Sequence, residues 1–192
     1  MTTGNDGIAR ADRRARLAIA GVIAIGVLLR LLVLRSPGFP SDVGTFQAWA
    51  ERLVQLGPLG FYEPGYFSDY PPGYLYVLWL MGALFDGELL RLAVKAASIP
   101  ADVAIAAIAA SLAWRSAGRG SAMLAASLWM LSPGPIFAGP YWGQVDAVGT
   151  VPLSIEEAAD VVVAVVVAAA AVAVIVIVAP VVAVVVVVVA PP

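Results

Sequence analysis

The chain contains neither cysteine nor histidine. Without cysteine there are no disulfides and no thiolate metal sites, and the redox compartment is left open. Without histidine there is no imidazole base and no histidine-ligated metal, so aspartate and glutamate are the general bases left near neutral pH. Charge is also scarce. Charged residues make up 12% of the 192, and a net charge of -2 gives no electrostatic reason to expect nucleic acid as a partner. Apolar residues take the place of charge, at 61% of the chain against about 45–50% in soluble domains. Apolar runs long enough to cross a bilayer make the expected class an integral membrane protein. The expected fold is all-α, a polytopic membrane helical bundle with juxtamembrane helices in its first outer loop.

Residues 1–16 are polar and basic, with Arg10, Arg13, Arg14 and Arg16 outnumbering Asp6 and Asp12, as expected of a cytoplasmic tail. The run 17–34 is almost wholly apolar and would span about 27 Å as a helix, close to one bilayer core. The basic residues ahead of it favour a cytoplasmic N-terminus in a multi-pass protein of the cell membrane. A cleaved signal peptide is the rival, but its apolar region is only about 7–15 residues long. Arg30, near the outward end, is expected to snorkel to the interface. An outer loop, 36–88, follows. Within it Val43, Phe46, Ala50, Leu53 and Val54 recur at helical spacing, describing a short helix on the membrane surface that Gly57-Pro58 stops. Asp42 at its start is suited to an N-cap, a role compatible with chemistry because a helix N-terminus also fixes the carboxylate's direction.

The apolar stretch 73–85 would reach only about 20 Å, too short to cross. It is expected at the outer surface, with Tyr74, Tyr76 and Trp79 at headgroup level. The better spanning segment is 89–114, which leaves Arg115 and Arg119 on the cytoplasmic side. Asp102 lies within it, and a carboxylate at that depth normally faces a partner or a wet cavity. A helix–helix hydrogen bond is the preferred role. Lys95 is two turns away, too distant for direct contact. A third span, about 121–138, runs outward into a Gly/Pro-dense break. Irregular backbone at membrane depth survives only under protein cover or against water. Tyr141, Trp142, Gln144 and Asp146 are therefore expected to face the same outer cavity as Asp42 and Asp69. From residue 154 the composition turns to valine and alanine. This low-complexity tail, 154–192, is expected to be non-native or a fourth span over 161–178, with 17–153 then the N-terminal part of a longer membrane domain.

Four segments carry a family resemblance. SDVGTFQAWAERL after the first span, FSDYPPGYLY closing the outer loop, IPADVAIAAIA in the next span and SPGPIFAGPYWGQVDAVG beyond it resemble the polytopic glycosyltransferases of the GT-C class. The similarity runs over residues 17–153 and is nearest to dolichyl-phosphate-glucose glucosyltransferases and their mannosyltransferase relatives. It implies transfer of a sugar from a polyprenyl-phosphate donor to a glycan or lipid acceptor at the outer face of the membrane. It places the family's two loop aspartates on Asp42 and Asp69 as the catalytic pair. Asp42 would be the base, and Asp69 would orient the acceptor or help bind a divalent cation such as Mg or Mn. Tyr70, Tyr141, Trp142, Gln144 and Asp146 are the candidate substrate-binding residues. Arg30 and Arg35 are candidates to stabilise the leaving phosphate. A non-catalytic membrane scaffold or a transporter subunit is the alternative function, the transporter using Asp102 and the broken segment 134–149 as a substrate path.

Overall fold

A backbone in an apolar setting must satisfy its own hydrogen bonds, and helices do so within one segment. The computed structural model describes residues 3–70 and 72–148, and the described residues form helices and turns with no strand among them. The Val/Ala tail and its possible fourth span lie outside the described residues. Two stretches, Asp6–Leu34 and Gly87–Trp142, are long and apolar enough to cross a membrane by length and composition, and Pro72–Leu84 is a shorter apolar helix.

Helix α1 runs Thr3–Leu34, α2 Pro40–Gly60, α3 Pro72–Leu84, α4 Gly87–Ala96, α5 Ser98–Met130 and α6 Pro133–Ile136, followed by a π-helical turn at Phe137–Trp142. The Gly/Ser loop after Arg115 is one sharp reversal inside α5. Gly118 takes φ 83°, which a side chain would oppose, and the helix doubles back there. Ala110 on the outgoing arm thus meets Ala122 and Ala126 on the returning one, with Ile19 and Val22 of α1 laid over them. Small residues at these contacts let three helical segments approach closely. Asp12 pairs with Arg119 at one end of this layer and Arg30 with Asp102 at the other, so α1 and the outgoing arm run antiparallel.

The segment expected as one helix over 89–114 is two helices, divided by a turn at Ala97. Its first part, α4, is amphipathic: Leu90, Ala93 and Val94 are buried while Glu88 and Arg91 form an ion pair outside. Pro100 accounts for the division, since it has no N–H for the Ala96 carbonyl. Lys95 of α4 is buried beside the end of α1. Its ammonium donates to the carbonyls of Leu34 (2.8 Å) and Ser36, closing the C-terminus of α1. That anchor ties α4 to the end of α1. The α-helix expected over 121–138 likewise stops at Met130, where Pro133 and Pro135 lead into the π-helical turn.

Helices α2, α3 and α4 cover that end of the bundle. Phe46, Trp49, Phe61 and Tyr74 are buried together, with Phe46 edge-on to Trp49 (5.7 Å) and to Tyr74 (5.5 Å). Edge-to-face pairs of this kind add about 0.5–1.5 kcal/mol beyond their burial. The apolar face of α2 is therefore spent on protein contacts. Of the residues expected there, Val43, Phe46, Ala50 and Leu53 are buried and Val54 is exposed. Tyr74 is not at an interface: it is inside this cluster, while Tyr76 and Trp79 remain exposed.

Arg30 does not snorkel. It is 0% exposed, and its Nε donates to Asp102 Oδ2 at 2.8 Å while Nη1 donates to the carbonyls of Gly26 (3.1 Å) and Met130 (2.7 Å). Asp102 Oδ1 accepts from Trp129 Nε1 at 3.1 Å, so the carboxylate does bridge helices as its sequence position suggested. Removing one partner of a buried ion pair leaves an uncompensated charge, at about 3–5 kcal/mol. Asp102→Leu should lower the thermal midpoint of the detergent-solubilised chain sharply, and Arg30→Met added to it should restore most of the loss. Equal stability of the single and double variants would show that the pair is not coupled.

Candidate functional site

The C-terminal end of α1 brings together residues about a hundred positions apart. Helix α2 begins at Pro40, with Phe39 extended at the N-cap and no side chain capping it. Proline suits a first helical position because its missing N–H would go unused there. Asp42 is thus in the first turn and is not the cap. Its carboxylate is aimed at the π-helical turn instead. Oδ2 accepts from Trp142 Nε1 at 3.0 Å and from Gln144 Nε2, and Oδ1 accepts from Ser41 Oγ at 3.1 Å.

Local backbone geometry makes this clasp possible. The π-helical turn ends at Gly143, whose φ of 106° is left-handed and whose N–H donates to Gly139 O at 2.7 Å. A Cβ at Gly143 would lie 2.5 Å from Val43 Cγ2, so only glycine lets this turn close on α2. Phe39 N–H donates to Trp142 O at 2.7 Å, and the two rings sit 4.7 Å apart. Main chain and side chain together hold Trp142 and Gln144 in register with Asp42.

A cleft of about 230 Å³ opens beside this clasp, lined by Asp42, Asp69, Tyr70 and Gln144 over Phe46, Trp49 and Phe67. A second cavity of about 240 Å³ is lined by Asp102, Trp129, Gln144 and Asp146, so Gln144 borders both. The Tyr70 hydroxyl lies close enough to Asp146 to feel its charge, and the two residues border different spaces. Six of the seven residues singled out from the sequence thus meet at this end. Tyr141 does not line the cleft: it is exposed and stacked on Phe137 at 4.9 Å. Sequence reasoning passed over Trp49 and Phe67. Trp49 follows Phe46 by one helical turn, a spacing that marks it for the same buried face.

Among the described residues no group of three or more carboxylates is arranged to hold a metal ion. The cleft itself offers the carboxylates of Asp42 and Asp69 beside aromatic side chains. No family model, curated protein or solved structure matches the chain.

Tyr70 reports the electrostatics of this cluster. Burial, then the charges of Asp146, Asp69 and Asp42, push its hydroxyl from 10.0 up to about 12. A raised folded-state value means that the native chain keeps a proton the unfolded chain loses. The contribution to stability is thus complete below pH 10 and is lost as pH rises through about 12. Ultraviolet titration of tyrosinate should show a tyrosine ionising near pH 12 that vanishes in Tyr70→Phe and ionises earlier in Asp146→Asn, while Tyr74, raised further by its burial, stays protonated beyond it. A Tyr70 that ionises with the exposed tyrosines would contradict the clustering of acids.

Proposed function

We propose that this chain belongs to a membrane glycosyltransferase that moves a sugar from a polyprenyl-phosphate-linked donor to an acceptor hydroxyl at the outer face of the membrane. The observation that carries this reading is the meeting of Asp42 and Asp69, from opposite ends of the outer loop, on one aromatic-floored cleft. In this reading the chain is multi-pass with a cytoplasmic N-terminus, and the two arms of α5 are its second and third crossings.

Glycosyl transfer needs a base to take the acceptor's proton as its oxygen attacks the anomeric carbon. Asp42 is the base. Trp142 and Gln144 fix Oδ2, so the carboxylate cannot swing, and among the described residues Oδ1 accepts from the exposed hydroxyl of Ser41 alone, which rotates aside readily. An acceptor hydroxyl taking the place of Ser41 would be held within reach of that oxygen, converting a chance encounter into a positioned one. Asp69, exposed on the opposite rim, accepts a second hydroxyl and orients the acceptor. Sugars present hydroxyls at their edge and C–H groups on their face, which matches an acidic rim beside the exposed ring of Phe67. The leaving phosphate needs a cation. Arg30 is committed to Asp102, whereas Arg35 is exposed at the end of α1 and remains the candidate among the two.

The transporter alternative draws no support from Asp102, whose two oxygens are both engaged by Arg30 and Trp129. Removal of a general base typically slows a reaction by about 10²–10⁴-fold. Asp42→Asn should therefore abolish most sugar transfer from a lipid-phosphate donor in membranes carrying the full chain, with Asp69→Asn affecting the acceptor KM more than kcat. Unchanged turnover in Asp42→Asn removes it as base, and uptake lost in Asp102→Asn but kept in Asp42→Asn would point to a transporter.

Because the chain has no native cysteine, its orientation is open to a clean test. Phe67→Cys should react with an impermeant thiol reagent added outside intact cells, and Arg14→Cys should react only after lysis. Labelling of both from the same side would place the cleft in the compartment of the basic tail and end the outer-face assignment.

A further inference from the structure

The end of the molecule away from the aspartate cleft carries a larger groove, about 470 Å³, between α1 and the outgoing arm of α5. Its walls are Ile19, Ile23, Ala107 and Ala110, and its mouth is Arg16 and Arg115, with Ser111 and Trp114 between. The apolar part extends roughly 10 Å from the arginines, given seven helical residues from Arg16 to Ile23 at 1.5 Å each. The slot is thus charged at one end and greasy along the rest.

The charges at the mouth are uncommitted. Asp12, the nearest acid in sequence to Arg16, is taken by Arg119. Arg16 stands over the Trp114 ring at 5.4 Å and has no carboxylate partner among the described residues, and neither has Arg115. Both are exposed. Stacking on Trp114 holds the Arg16 guanidinium over the groove while leaving its N–H donors open. A planar guanidinium with free donors is suited to phosphate oxygens.

We propose that this groove binds an anionic phospholipid, with an acyl chain along Ile19, Ile23, Ala107 and Ala110 and the headgroup phosphate between Arg16 and Arg115. Charge complementarity selects this occupant: a neutral helix would fill the apolar walls and leave two arginines unanswered at its end. The inference rests on the chain being embedded in a bilayer, not on the glycosyltransferase reading, since it concerns the other end of the molecule. Basic pockets on the side of a membrane protein that carries the positive residues are suited to anionic headgroups, each arginine contributing about 1 kcal/mol near an anionic surface.

The test is native mass spectrometry of the full chain in detergent, titrated with phosphatidylglycerol or phosphatidylcholine of the same acyl chains. Phosphatidylglycerol should be retained preferentially. R16Q/R115Q should reduce that preference by on the order of 25-fold, at roughly fivefold per arginine. R13Q/R14Q, which removes equal charge outside the groove, should leave most of it. Equal retention of the two lipids overturns the proposal, and so does an equal loss in R13Q/R14Q, which would mean diffuse surface charge. A photo-crosslinker at position 23 in membranes should capture lipid, and capture of protein instead assigns the groove to a helix and overturns the lipid site. Recovery of the chain in the soluble fraction without detergent removes the bilayer premise, and the proposal with it, whatever sugar-transfer assays give.

Discussion

The Arg30 guanidinium sits, with no exposure to solvent, where three segments of the chain meet. It binds the carboxylate of Asp102 on the outgoing arm of α5, the Met130 carbonyl at the end of the returning arm, and the Gly26 carbonyl of its own helix. A charge there is tolerable only because these partners answer it. Two of them are terminal or intrahelical carbonyls, so the arginine also satisfies backbone that would otherwise be orphaned where α5 stops. The point from which α6 and the π-helical turn depart is thereby fixed. Everything that turn delivers to the cleft, Trp142 and Gln144 above all, inherits its position from this joint.

A second polar anchor works beside the first. Lys95 binds the carbonyls at the end of α1, and Arg91 donates to the carbonyls of Ser36 and Pro37. These bonds tie α4 to the end of α1, and α4 in turn carries the aromatic cluster of α2 and α3. The two halves are built by different means. Alanine and glycine contacts allow close approach where α1 meets α5, and large rings fill the space where α2 meets α3. The outer surface of α1, with Leu17, Leu28 and Leu32 more than half exposed, has no partner among the described residues, as suits a face turned to lipid.

Much of this was legible in the residues themselves. The apolar runs predict helices and the structure has them, and the glycine–proline pair at 57–58 marks a break inside α2, where Gly57 takes φ 73° before the helix runs on to Gly60. The broken segment after Met130 is less covered than expected: Gly139 and Pro140 are buried, but Leu131, Phe137 and Tyr141 are exposed. Asp102 was expected to bridge helices, and it does. What escaped was long-range. Arg30 was placed at the interface because nothing local distinguishes an arginine that snorkels from one that meets a buried carboxylate seventy-two residues away. Asp42 is suited to a cap by its neighbours, whereas two of its three side-chain donors, Trp142 and Gln144, are about a hundred residues distant. The division of 89–114 at Ala97 did have a local signal: Pro100 has no N–H for the Ala96 carbonyl four residues before it.

The distribution of charge then constrains what the cleft can hold. Asp42 and Asp69 line it, Asp146 adds its charge at Tyr70, and no lysine or arginine is among its lining residues. A phosphate entering that space would meet like charge on several sides at short range, where screening by solvent is weakest. A neutral hydroxyl-bearing ligand meets acceptors instead, and exposed Phe67 gives its apolar face a surface to rest on. The reaction proposed for the chain therefore divides in space: the acceptor belongs inside the acidic cleft, and the lipid-linked phosphate outside it, toward the exposed Arg35 and the membrane. Such a division also serves the chemistry. A carboxylate base retains its proton affinity best when no cation sits against it, while a departing phosphate needs one. Separating the two by the width of a sugar lets both conditions hold at once.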